Sequence, residues 1–199
     1  MKDTRYVILA FEKMRLPLLC HCPACKGRLV FLSLFVCFIF SSATIYAEDR
    51  LAVGLQLLSS GQLAEARRFF EAYSQEYPEG PSGLFYLGQI AFEEQRYEDA
   101  MRNFERVVQL DERNSDYHLW LGRACGRLAE RVGVFRQFLL ARKVRFHFER
   151  AVELNPENLA ARIDLREYYE KAPVFLGGGV EKAEAQEKEI KKRQQQVQR

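Results

Sequence analysis

The residues best suited to chemistry are few and scattered. Cys22, Pro23, Ala24, Cys25, Lys26 and Gly27 form one knuckle of the kind that holds tetrahedral zinc, with Cys20 and His21 beside it as further donors. A zinc ribbon needs a second pair roughly 15–20 residues on. Only Cys37 follows, inside an apolar run, and Val36 stands where a lipoprotein signal needs a small residue. The histidines His21, His118 and His147 belong to no His-Glu-x-x-His pattern, and no nucleophile elbow is present. Gly177, Gly178 and Gly179 lead into Val180, Glu181 and Lys182 without the Lys-Ser/Thr of a phosphate loop, so they read as a hairpin connection. Cys125 lies between Arg123 and Arg127, which would favour a thiolate, but its place on the inner side of a helix favours a buried structural cysteine. No catalytic residue, metal or cofactor is expected, and the chain reads as non-enzymatic.

What positions these residues begins with a division near Ala47. Positions 1–47 carry six Lys/Arg against Asp3 and Glu12, whereas the remainder has 24 basic and 25 acidic residues. That balance excludes the general cationic surface of a nucleic-acid binder. Four of the five cysteines lie at or before Cys37, so Cys125 has no disulfide partner in the rest of the chain. Leu29 to Phe40 is apolar except for Ser33, follows Lys26 and Arg28, and precedes Ser41, Ser42 and Ala43. This is the order of a secretory signal, with cleavage after Ala47 or after Ala43 and the chain from Glu48 translocated. Twelve apolar residues make about 18 Å of helix against a hydrocarbon core of roughly 30 Å. The uncharged run continues from Leu29 to Ala47, which keeps an uncleaved inner-membrane tether through 29–47 as the alternative. The start is at Met1 or Met14.

Beyond the leader a single period organises the chain. Gly54, Gly88 and Gly122 recur at a constant step of 34, Ala66 and Ala100 keep the step, and so do Phe70 and Phe104. A glycine inside an amphipathic helical run costs about 1 kcal/mol relative to Ala, so three at one spacing need a packing reason, the close approach of two helices. Pro78 and Pro156 close units where no amide donor is required. The step from Gly122 to the next aromatic slot, Phe148, is ten longer than the steps from Gly54 to Phe70 and from Gly88 to Phe104, so ten positions are inserted. The last unit has Arg166 in the glycine slot and Ala183 seventeen positions later instead of twelve, an insertion of five.

The pattern resembles the tetratricopeptide repeat: Leu87, Gly88, Ala100 and Phe104 in one unit, Val53, Gly54, Ala66, Phe70 and Pro78 in the unit before it. The resemblance implies an all-α solenoid of four helical hairpins over residues 48–199, with repeats at about 47–80, 81–114, 115–158 and a degenerate 159–197. The slots place helices at roughly 48–60, 63–77, 82–94, 97–110, 115–128, 136–154, 157–171 and 180–197, and no strands. The run from Lys171 to Ala183 with the segment before it also resembles a group of bacterial envelope repeat proteins, and more faintly repeat proteins that accompany solute-binding transporters.

In this architecture the first helix of each hairpin lines a concave groove. The resemblance then offers Leu51, Leu55 and Leu58, then Ser82, Phe85, Gln89 and Phe92, then Leu119, Arg123 and Arg127: an apolar floor with a cationic end. The partner-binding residues expected are Leu51, Leu55, Phe85, Gln89, Phe92, Leu119, Arg123 and Arg127, facing a protein or peptide with apolar anchors and an acidic group. The Lys and Asn by which similar repeats clamp acidic chaperone tails are replaced here by Leu51 and Leu55. Between Arg123 and Arg150 stand eight basic residues against Glu130 and Glu149, a basic insertion that suits either solvent or anionic lipid. The function expected is an exported, periplasmic binding scaffold. The alternatives are a membrane-anchored assembly factor for an envelope complex and a periplasmic small-molecule or peptide binder accessory to transport.

Overall fold

The computed structural model describes residues 50–197. Its helices are α1 (50–59), α2 (Leu63–Glu76), α3 (Pro81–Glu93), α4 (Tyr97–Leu110), α5 (Ser115–Ala129), α6 (Val134–Leu154), α7 (Leu159–Lys171) and α8 (Val180–Val197). A 3-10 turn, Val174–Leu176, stands between the last two, and no strand occurs among the described residues. The leader, with Cys20, Cys22, Cys25 and Cys37 and the apolar run 29–47, lies outside them. No helix of the described residues is long and apolar enough to cross a membrane.

Burial follows the helical period. α4 buries Tyr97, Ala100, Phe104 and Val107, and α6 buries Leu140, Val144, Phe148 and Ala151, each set spaced by three or four positions along one face. From α2 on, each helix packs on the next, and α3 touches α5 as α5 touches α7, the stacking of a solenoid. The three periodic glycines sit under aromatic rings from the second helix of their own hairpin. A Cβ at Gly54 would lie 2.5 Å from Phe70, at Gly88 2.6 Å from Phe104, and at Gly122 2.5 Å from Phe148. The first two of these rings also reach the following hairpin: Phe70 stacks on Tyr86 at 4.9 Å and Phe104 lies 5.8 Å from Trp120. Each of those two phenylalanines therefore closes two seams, within its hairpin and to the next.

The turns repeat as well. Gly61 (φ +74°) and Gln95 (φ +60°), one repeat apart, occupy the same left-handed position between the helices of hairpins one and two. Gln95 lacks the freedom of glycine there, and Arg131 donates to both its carbonyl (3.1 Å) and its Oε1 (2.6 Å). Asn114 and Asn158 cap α5 and α7, accepting from Asp116 N at 2.9 Å and Ala161 N at 3.1 Å. This cap sets the start of α7 at Leu159, two positions later than the slots suggest.

The two insertions take different forms at the same end of the stack. α6 has 21 residues against 14 in α2 and in α4, α5 has 15 against 13 in α3, and the tenth residue joins their connection. The first insertion is thus mostly two extra turns at the start of α6, which begins at Val134 instead of 136. α7 keeps 13 residues, so the second insertion falls wholly in the connection 172–179. There Gly177 has φ +88°, and a Cβ at Gly178 would strike the Ala172 carbonyl oxygen at 1.8 Å. The triple glycine is a hairpin connection, folded tightly enough to need residues without side chains.

Candidate functional site

The expected groove residues differ in exposure. Leu51 and Leu55 lie one turn apart on α1, with Leu55 exposed. Phe85, Gln89 and Phe92 share a face of α3 and are half-buried. Phe85 packs on Tyr117 (5.0 Å), and Phe92 meets Tyr97 (5.3 Å) and Trp120 (5.5 Å). Trp120, absent from the expected set, joins these rings. Leu119 is only 3% exposed, a core residue and no part of a groove.

The expected cationic end carries carboxylate partners. Arg123 donates from Nε to Asp164 at 2.5 Å and lies over the Trp120 ring at 5.1 Å. Arg127 pairs with Glu130 at 3.0 Å and stands over Tyr97 at 5.6 Å. Both cations have carboxylate partners, one of them in the degenerate unit. A groove selecting an acidic ligand by free arginines is therefore not what these residues build.

Asp164 explains what they build instead. Tyr86 and Trp120 each stand two positions before a periodic glycine, and Asp164 stands two positions before Arg166, which fills that slot in the last unit. At the first two seams this position supplies the ring on which Phe70 or Phe104 packs. At the third it supplies a carboxylate that turns to Arg123, so Phe148 meets no aromatic ring of the following hairpin among the described residues. The seam opens into a cleft of about 610 Å³. Its floor is Gly126, Ala129, Ala141, Val144 and Phe148, and its outer walls are Val134, Phe138, Phe175 and Leu176. Phe138 from the first insertion and Phe175 from the second stack with centroids 6.4 Å apart and planes within 16°.

The 3-10 turn that carries Phe175 is fastened at its back. Tyr168 donates from its hydroxyl to Leu176 O at 3.0 Å, and Arg145 donates to the same oxygen at 3.3 Å. The rim charges are matched: Arg123 with Asp164, Arg127 with Glu130, and Lys171 with Glu167 at 2.5 Å. An apolar, electrically balanced cleft selects by shape and hydrophobicity, so it suits the apolar side chains of a peptide or helix. The sequence signals for it were the two breaks in the repeat period and the aromatic residues inside them.

Two further groups complete the inventory. Cys125 is fully buried, and burial pushes its thiol up to about 12, far from a reactive thiolate despite the arginines beside it in sequence. His118 and His147, from the two helices of the third hairpin, meet at 3.0 Å through their Nδ1 atoms, while His118 Nε2 lies 3.1 Å from Glu112 O. A carbonyl only accepts, so neutral His118 carries its proton on Nε2 and His147 donates from Nδ1. Burial first, then the neighbouring His118, pushes His147 down to about 4, and burial lowers His118 as well. Among the described residues no three His, Cys, Asp or Glu side chains gather as a metal set.

Comparison with known proteins agrees with this architecture. No curated protein matches the chain in sequence. The chain is similar in structure to TTC0263, a thermophilic TPR protein of Thermus thermophilus, with TM-score 0.61 and 22% identity over 72% of each chain. It is similar to YrrB, described as a TPR protein with an unusual peptide-binding site, with TM-score 0.57 and 17% identity over 72% of this chain and 66% of that one. MamA of strain MSR-1 aligns over 76% of this chain and 78% of its own, with TM-score 0.56 and 18% identity. Residues 57–119 match the family model described as tetratricopeptide repeat. Residues 57–119 thus match the tetratricopeptide repeat in sequence, over the second helix of the first hairpin, the whole second hairpin and the start of the third, and the described residues share the all-α solenoid fold of these structures.

Proposed function

We propose that this chain is a non-catalytic scaffold of the bacterial cell envelope that grips an apolar segment of a partner protein or peptide in the cleft between its third and fourth hairpins. The observation that carries the reading is the meeting of both insertions. Two interruptions of the repeat, separate in sequence, place Phe138 and Phe175 against each other over the one seam that lacks an aromatic closure among the described residues. The peptide-binding site named for YrrB supports the class of ligand, since that protein has a similar fold.

The test is a paired substitution. Phe175→Asp should abolish capture of a partner that the parent chain retains, while Phe92→Ala, on the α3 face, should leave it unchanged and both variants fold. The opposite pattern would return the site to the concave face. The location in the envelope rests on the charge order of the leader: a reporter fused after Arg50 should be active only outside the cytoplasm, and the mature chain should begin near Glu48. A protein that keeps 29–47 in the membrane would be the anchored assembly factor instead. The cleft volume also lies within the range of about 300–1,000 Å³ common for small ligands. A small molecule retained in native mass spectrometry would favour the transport-accessory reading.

A further inference from the structure

The side of α6 turned away from the cleft carries a second surface. Phe135, Leu139, Arg142 and Phe146 follow at steps of four, three and four, so they form one stripe along the helix. All are exposed, Phe135 by 80%, Phe146 by 58% and Leu139 by 47%. Beside the stripe's outer end, Val134 and Val174 are each more than four-fifths exposed. Phe135, Leu139 and Phe146 protrude singly from the helix on the side away from the cleft.

On α6 itself the charge beside the stripe is basic as far as Phe148, and Glu149, which accepts from Tyr169, follows it. Residues 131–148 contain Arg131, Arg136, Arg142, Lys143 and Arg145 and no Asp or Glu. The carboxylates that face them come from α4: Glu98 pairs with Arg136 at 2.5 Å and Glu105 with Lys143 at 2.8 Å. Both pairs are exposed enough to exchange partners with a phosphate in solution. Arg142, in the middle of the stripe, makes no ion pair among the described residues.

We infer that the outer face of α6 docks on an anionic lipid surface, with Phe135, Leu139 and Phe146 entering the boundary between headgroups and acyl chains and Arg136, Arg142 and Lys143 meeting lipid phosphates. Protruding apolar side chains flanked by arginines match an interface that is apolar in depth and anionic at its surface, whereas a protein partner would need a receiving pocket. The cleft faces the other side of α6 and stays open to its own ligand. The inference is independent of which side of the membrane the chain occupies.

The experiment uses the full chain carrying Phe135→Trp together with Trp120→Phe, so that the one indole stands at position 135, mixed with vesicles of phosphatidylcholine with or without phosphatidylglycerol, their acyl chains brominated. The readout is local: a hold on the vesicle by residues 29–47 would be common to both lipid mixtures and would not quench an indole at position 135. Expected are a blue shift and at least about twofold bromine quenching on the anionic vesicles alone, reversed by salt that shrinks the Debye length to about 3 Å. Arg142→Glu, at an exposed site that leaves the helical circular dichroism unchanged, should weaken the engagement about tenfold. An indole that stays open to aqueous iodide on anionic vesicles, or is quenched equally on both mixtures, overturns the inference. So does quenching that Arg142→Glu leaves intact.

Discussion

The three seams between the four hairpins are built from one plan, and the slot that faces the phenylalanine separates the third from the other two. The first and second are each closed by an aromatic pair, Phe70 on Tyr86 and Phe104 on Trp120, above glycines that admit the rings. At the third the glycine and Phe148 are kept but Asp164 replaces the ring, and the seam stays open between the two insertions. Closure and ligand access are alternative uses of the same volume.

The largest effect that would break this comparison is at the glycines. Gly88→Leu should cost about 3 kcal/mol, because Phe104 is held between its own hairpin and Trp120 and cannot yield. Gly122→Leu should cost only about 1 kcal/mol, since Phe148 can turn toward the cleft. Equal losses of melting temperature would show the third seam to be as tight as the second.

Next comes acid. The folded His147 lies near 4 against an unfolded value of 6.5, so the unfolded chain binds the extra proton between those values. The contribution is full above pH 6.5 and lost as the pH falls toward 4, on the order of 3 kcal/mol. Denaturation midpoints measured across that window should fall in the parent and stay flatter in His147→Gln. A parallel fall in both would assign the acid sensitivity elsewhere.

A double-mutant cycle on Arg123→Gln and Asp164→Asn should give a coupling of about 1 kcal/mol or less, as the two side chains are 30% and 19% exposed. Asp164→Phe goes further and restores the ring to its slot. It should narrow the cleft and reduce partner capture without lowering the melting temperature. The smallest change in stability belongs to Phe175→Ala, within about 0.5 kcal/mol because the ring is 77% exposed. Its effect on binding should be the larger one, and a variant that captures its partner normally would remove Phe175 from the site.

Much of this frame was legible in the spacing. Gly54, Gly88 and Gly122 with Phe70, Phe104 and Phe148 set the pairing of the helices, and the lengths of the insertions followed from two counts. The slots also held the cleft: Tyr86, Trp120 and Asp164 align once the ten inserted positions are counted. Both insertions fall between the first and second helix of a hairpin, and in an alternating stack those connections all project at one end. Their meeting was therefore derivable. Spacing could not tell that ten residues would lengthen a helix while five would form a 3-10 turn and a glycine loop. Nor could it pair Arg123 with Asp164, because helical periodicity orders neighbours along the chain and is silent about a partner in the next hairpin. The expected concave row was laid out without those partners.

The grip of Arg131 on Gln95 has a mechanical consequence. A solenoid is a spring whose joints are the seams between hairpins. Across the second joint run three struts, Arg131 to Gln95, Arg136 to Glu98 and Lys143 to Glu105, each linking the third hairpin to the second along the outer side. Arg131 holds its partner by two hydrogen bonds, while the other two are the exposed ion pairs that a phosphate can take over. The third joint is tied at the base, where Asn158 donates to Ser115 Oγ at 2.9 Å, at the inner edge through Asp164, and along α6 by Tyr169 to Glu149 at 2.8 Å and Arg145 to Leu176 O at 3.3 Å. A load on the stack is therefore shared by the second and third joints, and Arg145, which ties α6 to the turn that carries Phe175, holds the spacing between Phe138 and Phe175.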